Sequence, residues 1–322
     1  MAIDVRTAPP ALPRGPRAGA PPGRQRRRGF TRWWRGGGLA AVLFALPAML
    51  VFAYFSWGPI VRGLAMSVQS SGTTAPAHFV GAENFSYVLT DPLLPTAVLN
   101  TLYFALLALA FGFPLPLFLA VFFAELRRRR WVFTVLAYLP VVVPPVVAIL
   151  LWQVFYNPTP DGLFNAALAT VGLGPYPWLN SPTMAMPAIV LAATWASAGS
   201  AVIIYLAALS GVRAELYEAA ELDGAGIWAR VRHVTIPQLR GVILVMLLLQ
   251  LIGTMQVFTE PFLFTGGGPQ NATLTILLMI YNYAFVDGDY GAATALSLLL
   301  SVVLVVLSIA YQFATRRWSP ER

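Results

Sequence analysis

Long unbroken apolar runs, each about the length of a bilayer crossing, alternate along this chain with short polar or arginine-rich stretches. A hydrocarbon core of ~30 Å is spanned by roughly 20 apolar residues in a helix. Six runs meet that length: Leu39–Trp57, Val98–Phe123, Val132–Tyr156, Met184–Ser210, Gly241–Phe262 and Ala292–Thr315. They are continuously apolar rather than alternating, which excludes a membrane-spanning strand barrel. The pattern predicts an all-α polytopic membrane protein with six transmembrane helices. Prolines inside the runs (Pro114, Pro116, Pro140, Pro144, Pro145, Pro187) are compatible with this, because neighbouring helices can satisfy the carbonyls that a proline frees.

Composition and charge sharpen the picture. Of 322 residues, 58% are hydrophobic and 11% charged, against about 25% charged in soluble domains. The 21 basic residues are all arginines. Nine precede the first run, four lie at Arg127–Arg130, four at Arg213, Arg230, Arg232 and Arg240, and three at Arg316, Arg317 and Arg322; the alternate loops share Arg62 alone. By the positive-inside rule both termini are cytoplasmic. The net charge of +8 therefore reports orientation in a lipid bilayer, and no nucleic acid is expected as a partner. Trp33, Trp34, Trp57, Trp131, Tyr156 and Trp318 fall near run ends, as an interfacial belt requires.

Residues 1–37, rich in Arg, Pro and Gly, read as a disordered cytoplasmic tail. Residues 38–315 read as one membrane domain, and 316–322 as a cytoplasmic C-terminal end. Arg27-Arg28-Gly29-Phe30 resembles a twin-arginine export signal, but no small-residue cleavage site follows and the first run is long enough to remain in the membrane.

Several chemistries are excluded. Without lysine the chain cannot form an ordinary phosphate-binding P-loop. Without cysteine it has no disulfide, thiol nucleophile or Cys-type zinc site. The two histidines, His78 and His233, are far apart in sequence. No catalytic, cofactor-binding or metal-ligating set is expected, and the chain does not read as an enzyme. An ion-coupled secondary transporter would want ionisable groups near the midplane, and none lies deep in a run; Glu260, at the outer end of the fifth, reads as a structural residue near water.

One stretch is built for water and a partner. Between the fourth and fifth runs, Val212–Arg240 concentrates charge. Glu215–Asp223 carries acids in its first turns, which suits the positive end of a helix. Gly224 is placed as a turn. A short amphipathic piece follows, with Ile227, Trp228, Val231 and Val234 on one side, and Pro237 is expected to end it before the fifth run begins. The result is a helical hairpin on the cytoplasmic face, with small alanines flanked by acids.

The order of residues in that hairpin, EAAELDGAGIWARVRHVTIP from Glu218 to Pro237, resembles the signature loop of binding-protein-dependent ABC importer permeases. The family often has Phe where this chain has Val231. Other segments resemble the carbohydrate branch (maltose, multiple-sugar or glycerol-phosphate): Phe79–Phe85, Asp91-Pro92 and Asn100-Thr101-Leu102; PTPDGLFN at Pro158–Asn165 with Pro177-Trp178-Leu179; and FTGGGPQNAT at Phe264–Thr273, followed by Tyr281 and Ala284-Phe285. The match runs over roughly residues 45–315.

The resemblance implies a permease of the bacterial cytoplasmic membrane working by alternating access. Its partners would be an ABC ATPase dimer, a homologous second permease and an extracytoplasmic solute-binding protein that delivers a sugar-like substrate; a non-sugar solute is the alternative. ATP and Mg would be bound by the ATPase and no cofactor by this chain. The hairpin would couple to the ATPase, with Glu218 meeting it, Ala219 and Ala220 forming the close-contact face, Gly224 the turn, and Asp223 and Pro237 holding the shape. In such permeases the span after this loop lines the cavity. Gln250 and Thr254, four apart on one helical face, are the first candidates for the substrate path, with Ser197, Ser200, Trp152 and Gln153 behind them; bonding within the bundle is the alternative for such polar groups.

Overall fold

A computed structural model describes residues 39–72, 76–126 and 130–316. The expected tail over 1–37, the twin-arginine motif and most of the C-terminal end lie outside the described residues. Two compact units are distinguished, Met1–Pro59 and Ile60–Arg322.

The described part of the first unit is helical: α1 (Leu39–Phe52) continues into a wide π turn at Ala53–Trp57. The second unit opens with α2, within Gly58–Ser67, and a two-stranded antiparallel ribbon, β1 (Gln69–Ser70) and β2 (His78–Phe79). It continues through α3 (Glu83–Thr90), α4 (Leu94–Leu107), α5 (Pro114–Glu125), α6 (Arg130–Val142), α7 (Pro145–Phe155), α8 (Leu163–Ala169) and α9 (Ala185–Ser210). Then come α10 (Ala214–Leu222), α11 (Ile227–Arg230), α12 (Ile236–Met255), α13 (Thr259–Thr265), α14 (Ile276–Tyr281) and α15 (Tyr290–Thr315).

Among the described residues, five helices are long and apolar enough to cross a membrane: Ala40–Ser67, Leu94–Glu125, Ala185–Ser210, Ile227–Met255 and Tyr290–Thr315. The sixth expected span is not one straight helix. α6 and α7 meet at an angle of 98°. Pro144 is extended (φ −54°, ψ 136°) and Pro145 opens α7. Two successive residues without an N–H, and the steric push of Pro144 on Val143, stop the helix and restart it in a new direction.

The fifth expected span, Gly241–Phe262, also changes shape. The helix begins earlier, at Ile227, and ends at Met255; Gln256–Phe258 form a break before the short α13. Pro237 does not end the amphipathic piece, as expected, because a π turn at Val231–Thr235 carries the helix past it. The same device recurs. The π turns at Ala53–Trp57, Ala108–Gly112 and Val231–Thr235 each stand two residues before a proline: Pro59, Pro114 and Pro237. In each, the residue before the proline donates its N–H five residues back (Gly58 to Ala53, Phe113 to Ala108, Ile236 to Val231). The widened turn makes room for a ring that would otherwise strike the carbonyl four residues earlier.

Within the second unit α9 is the central helix, packing against α5, α6 and α7. Its small residues permit this. At Gly199 an added Cβ would lie 2.2 Å from the Ala137 carbonyl oxygen of α6, so the two backbones nearly touch. One core gathers Phe104, Ile149, Trp152, Tyr156, Met186 and Ile189; a second joins Val88 and Ala97 to Leu278, Tyr283 and Leu296; a third packs Ala120 and Phe123 on Val202 and Tyr205. Large apolar side chains elsewhere, such as Val302, Val303, Val305 and Val306 of α15, are exposed, which suits a surface solvated by lipid.

Candidate functional site

Two places concentrate polar groups: a cavity among the helices of the second unit, and the charged hairpin. The cavity, of 560 Å³, lies where α4, α9 and α12 meet the break at Gln256–Phe258. Ser197, Gln250 and Thr254 all line it. Three of the expected path residues are thus brought together. Thr194, one helical turn before Ser197 on α9, joins them, as do Gln256 from the break and Thr259 at the start of α13. Phe104 and Phe258 supply aromatic faces. The Thr254 hydroxyl donates to the Leu251 carbonyl and that of Ser197 to Ala193, so both hydroxyls keep acceptor capacity.

A second, smaller cavity of 220 Å³ opens at the bend between α6 and α7. Ser197, Ser200, Trp152 and Glu260 line it, and Ser197 and Glu260 also line the first. Trp152 is 8% exposed. Its ring packs edge-on against Trp195, Phe155 and Phe164, and its indole N–H has no partner among the described residues. Gln153 stands apart from both cavities. Its amide donates to the Leu263 carbonyl at 3.0 Å, and the residue lines a 690 Å³ groove formed with Asn180 and Thr265–Pro269.

Glu260, read from the sequence as a structural residue at the outer end of the fifth run, lies in the first turn of α13, beyond the break, and lines both cavities. The break was concealed because Gln256–Thr259 interrupts the apolar run with neither a glycine nor a proline.

The motifs beyond the hairpin hold the scaffold together. The Asn84 amide donates to the carbonyls of Ser67 and Gln69. Asn100 donates to the carbonyls of Asn271 and Leu274, and the Thr101 hydroxyl accepts from the Ile276 N–H at 3.0 Å. Asp91 accepts from the Tyr283 hydroxyl. Asn165, 1% exposed, donates to the carbonyls of Thr159 and Tyr176 and accepts from the Trp178 indole at 2.9 Å. Three segments are thereby pinned by side-chain amides and hydroxyls, and the bonds of buried Thr101 and Asn165 are worth more where water is excluded.

The hairpin is made of α10 and α11. Gly224 turns it with φ +76°, a left-handed conformation that a side chain would strain. Glu218, Ala219, Asp223 and Pro237 are exposed and Ala220 is half-buried. Leu222 and Trp228 are 90% and 78% exposed, an apolar tip beside small residues. Arg230, which sequence reasoning did not single out, anchors the hairpin. Its guanidinium pairs with Glu221 of α10 and lies 3.7 Å from Glu125 at the end of α5. Tyr217 and Thr235 share a hydrogen bond of 3.1 Å beneath it.

The chain's relatives account for this combination. Residues 112–320 match the family model described as "Binding-protein-dependent transport system inner membrane component". The chain is 33% identical over 270 residues to the trehalose/maltose transport system permease protein MalF of Thermococcus litoralis, covering 84% of this chain and 91% of that one. It is 33% identical over 280 residues to the lactose transport system permease protein LacF of Rhizobium radiobacter, covering 85% and 93%. Among solved structures, a chain of a bacterial alginate ABC transporter, in complex with an alginate pentasaccharide-bound periplasmic protein, superposes with a TM-score of 0.80 at 27% identity, over 90% of this chain and 99% of that one. With its apolar helices, cavity and charged hairpin, this chain belongs to the inner membrane components of binding-protein-dependent transport systems, the permeases of ABC importers.

Proposed function

We propose that this permease carries a sugar or sugar-like solute across the bacterial cytoplasmic membrane, delivered by an extracytoplasmic binding protein and driven by a separate ATPase. The observation that carries the reading is the 560 Å³ cavity, which Ser197, Gln250 and Thr254 line together with aromatic Phe104 and Phe258. Hydroxyls and an amide beside ring faces suit a polyhydroxylated solute. The trehalose/maltose, lactose and alginate proteins named above support the same class.

Energy enters through the hairpin. Its exposed Leu222 and Trp228, beside Ala219 and the Glu218 carboxylate, suit insertion into a cleft on an ATPase subunit. Asp223, Gly224 and Pro237 shape it. The ATPase binds ATP and Mg, and this chain performs no catalysis of its own. A homologous second permease completes the pathway, and both termini of this chain are cytoplasmic by the distribution of arginines.

The test is purification of the full-length chain from its native membrane in mild detergent, with identification of what accompanies it. Recovery of an ATPase, a second permease and a solute-binding protein whose ligand is a sugar supports the proposal. Recovery of the chain alone, or of a binding protein specific for an amino acid or phosphate, overturns it in whole or in its substrate class.

A further inference from the structure

α15 carries a continuous apolar stripe that ends in an arginine. Val302, Val305, Val306, Ile309 and Phe313 are all exposed, and their spacing of three and four residues places them on one face of the helix. Arg316, three residues beyond Phe313, continues that face at the end of the helix. Its guanidinium carbon stands 4.4 Å from the centre of the Phe313 ring, close enough for a cation to be held by the ring face. Helices that pack on one another in lipid favour small residues at the contact, as α9 does at Gly199. The stripe is built of large branched and aromatic side chains instead, and acyl chains suit it better than a second helix.

A second arginine reaches the same level from the neighbouring helix. The Tyr311 hydroxyl of α15 donates to the Leu244 carbonyl of α12 at 2.7 Å, which sets these two consecutive crossings side by side. Arg316 lies five residues past Tyr311 and Arg240 four residues before Leu244. At 1.5 Å per residue they stand about 7.5 Å and about 6 Å beyond that bond, towards the same side of the membrane. Both are exposed. Arg240 and Leu244 share a face of α12, whereas Leu249, which lines the 560 Å³ cavity, follows Arg240 by nine residues, about two and a half turns, and so lies on the opposite face. The groove between α12 and α15 is therefore turned away from the cavity that the second permease completes.

We infer that Arg240 and Arg316 form a binding site for one anionic phospholipid, with its phosphate between the two guanidiniums and its acyl chains along the stripe from Phe313 to Val302. Guanidinium forks donate paired hydrogen bonds to phosphate oxygens, while their aliphatic stems lie along apolar surface. A pair of arginines between spanning helices at the membrane boundary favours an anionic over a zwitterionic headgroup. The site does not depend on which solute the permease carries.

The test uses the full-length chain with its co-purifying subunits, delipidated in mild detergent and titrated with dioleoyl phosphatidylglycerol or dioleoyl phosphatidylcholine, the bound lipids being counted by native mass spectrometry. The wild-type complex is expected to hold phosphatidylglycerol at least about tenfold more tightly than phosphatidylcholine. R240Q/R316Q should bind one tight phosphatidylglycerol fewer per copy of this chain, and R240K/R316K should keep it. Excess glycerol 3-phosphate, which has the charge without the chains, should not displace the lipid; displacement overturns a lipid as the occupant. Equal counts in wild type and R240Q/R316Q overturn the site. Loss of the ATPase or the second permease from R240Q/R316Q with the lipid count unchanged assigns the arginines to that partner and overturns it too. Photo-crosslinking of the unaltered complex with a diazirine-tailed phosphatidylglycerol needs no variant to fold: labels should concentrate within Val302–Phe313 over the equally exposed α1, and an even spread overturns the site.

Discussion

Arg230 of α11 lies 3.7 Å from Glu125, at the end of α5 and 105 positions earlier in the chain, and pairs at the same time with Glu221 of α10. The guanidinium thus ties both arms of the hairpin to the end of a membrane-spanning helix. Glu125 and Glu221 are each about half exposed, so the pairs add only about 0.5–1 kcal/mol to stability. They are nevertheless the direct polar link between the hairpin and the end of α5.

Arg230→Gln should therefore leave insertion and thermal stability nearly unchanged while lowering uptake several-fold per ATP hydrolysed. The doubly swapped variant E125R/R230E should recover part of the loss. Parallel measurement of uptake and ATP hydrolysis in proteoliposomes checks both. Equal uptake in wild type and Arg230→Gln would remove the mechanical role.

Glu218→Lys reverses the charge at the exposed contact surface of α10. Gly224→Pro forces a residue with φ near −65° into a turn that holds φ +76°. Both variants should insert normally and fail to couple transport to ATP hydrolysis. Normal substrate-stimulated uptake in both would show that the hairpin is a surface feature without a role in coupling.

Gln250→Ala and Thr254→Val each remove polar reach from the 560 Å³ cavity. If they touch solute, uptake at limiting substrate should fall by about one to two orders of magnitude, corresponding to one or two lost hydrogen bonds of about 1.5 kcal/mol each. Melting temperature in detergent should stay near wild type. A fall in melting temperature with uptake unchanged per folded molecule would instead assign the two residues to bundle packing.

Gly199→Leu places atoms where the Ala137 carbonyl already lies, 2.2 Å from the first of them. Even Gly199→Ala should destabilise by about 1–3 kcal/mol, because α9 and α6 must part. Asn165→Ala should cost a comparable amount through the carbonyls and indole it leaves unpaired, and it should speed proteolysis within the segment that Asn165 pins. Thermal unfolding and limited proteolysis in the same detergent separate the two effects.

Much of the architecture was legible because hydropathy acts over long stretches. The run from Met184 to Ser210 predicted α9 almost to the residue, and the charge concentrated between Val212 and Arg240 predicted the hairpin and its turn at Gly224. Helical spacing also brought Gln250 and Thr254 onto one face, and the cavity contains both. What escaped depends on short-range geometry inside apolar runs. Pro144-Pro145 was visible but indistinguishable by composition from prolines that a helix absorbs, such as Pro114 and Pro237. The break at Gln256–Phe258, which sets Glu260 at the start of α13, carries no glycine or proline to mark it. Arg230 and Glu125 become neighbours only once two helices have packed.

Each proline absorbed through a π turn also leaves a mark on phase. A π turn takes up one residue more than an α turn, so the helix beyond it is rotated by about 100° from where a uniform repeat would place it. A helical wheel drawn without correction from Trp228 to Gln250 therefore puts the face seen from the cytoplasm on the wrong side of the face seen from the cavity. Removing one residue from Val231–Thr235 together with Pro237→Ala should restore a plain α-helix, keep both faces in place and preserve transport. Removing the residue while Pro237 remains should turn the hairpin against the membrane-spanning helix it feeds. Relatives that lack the proline should align with this chain only through a single-residue gap at that point, so the spacing between hairpin and cavity is a matter of angle as well as of distance.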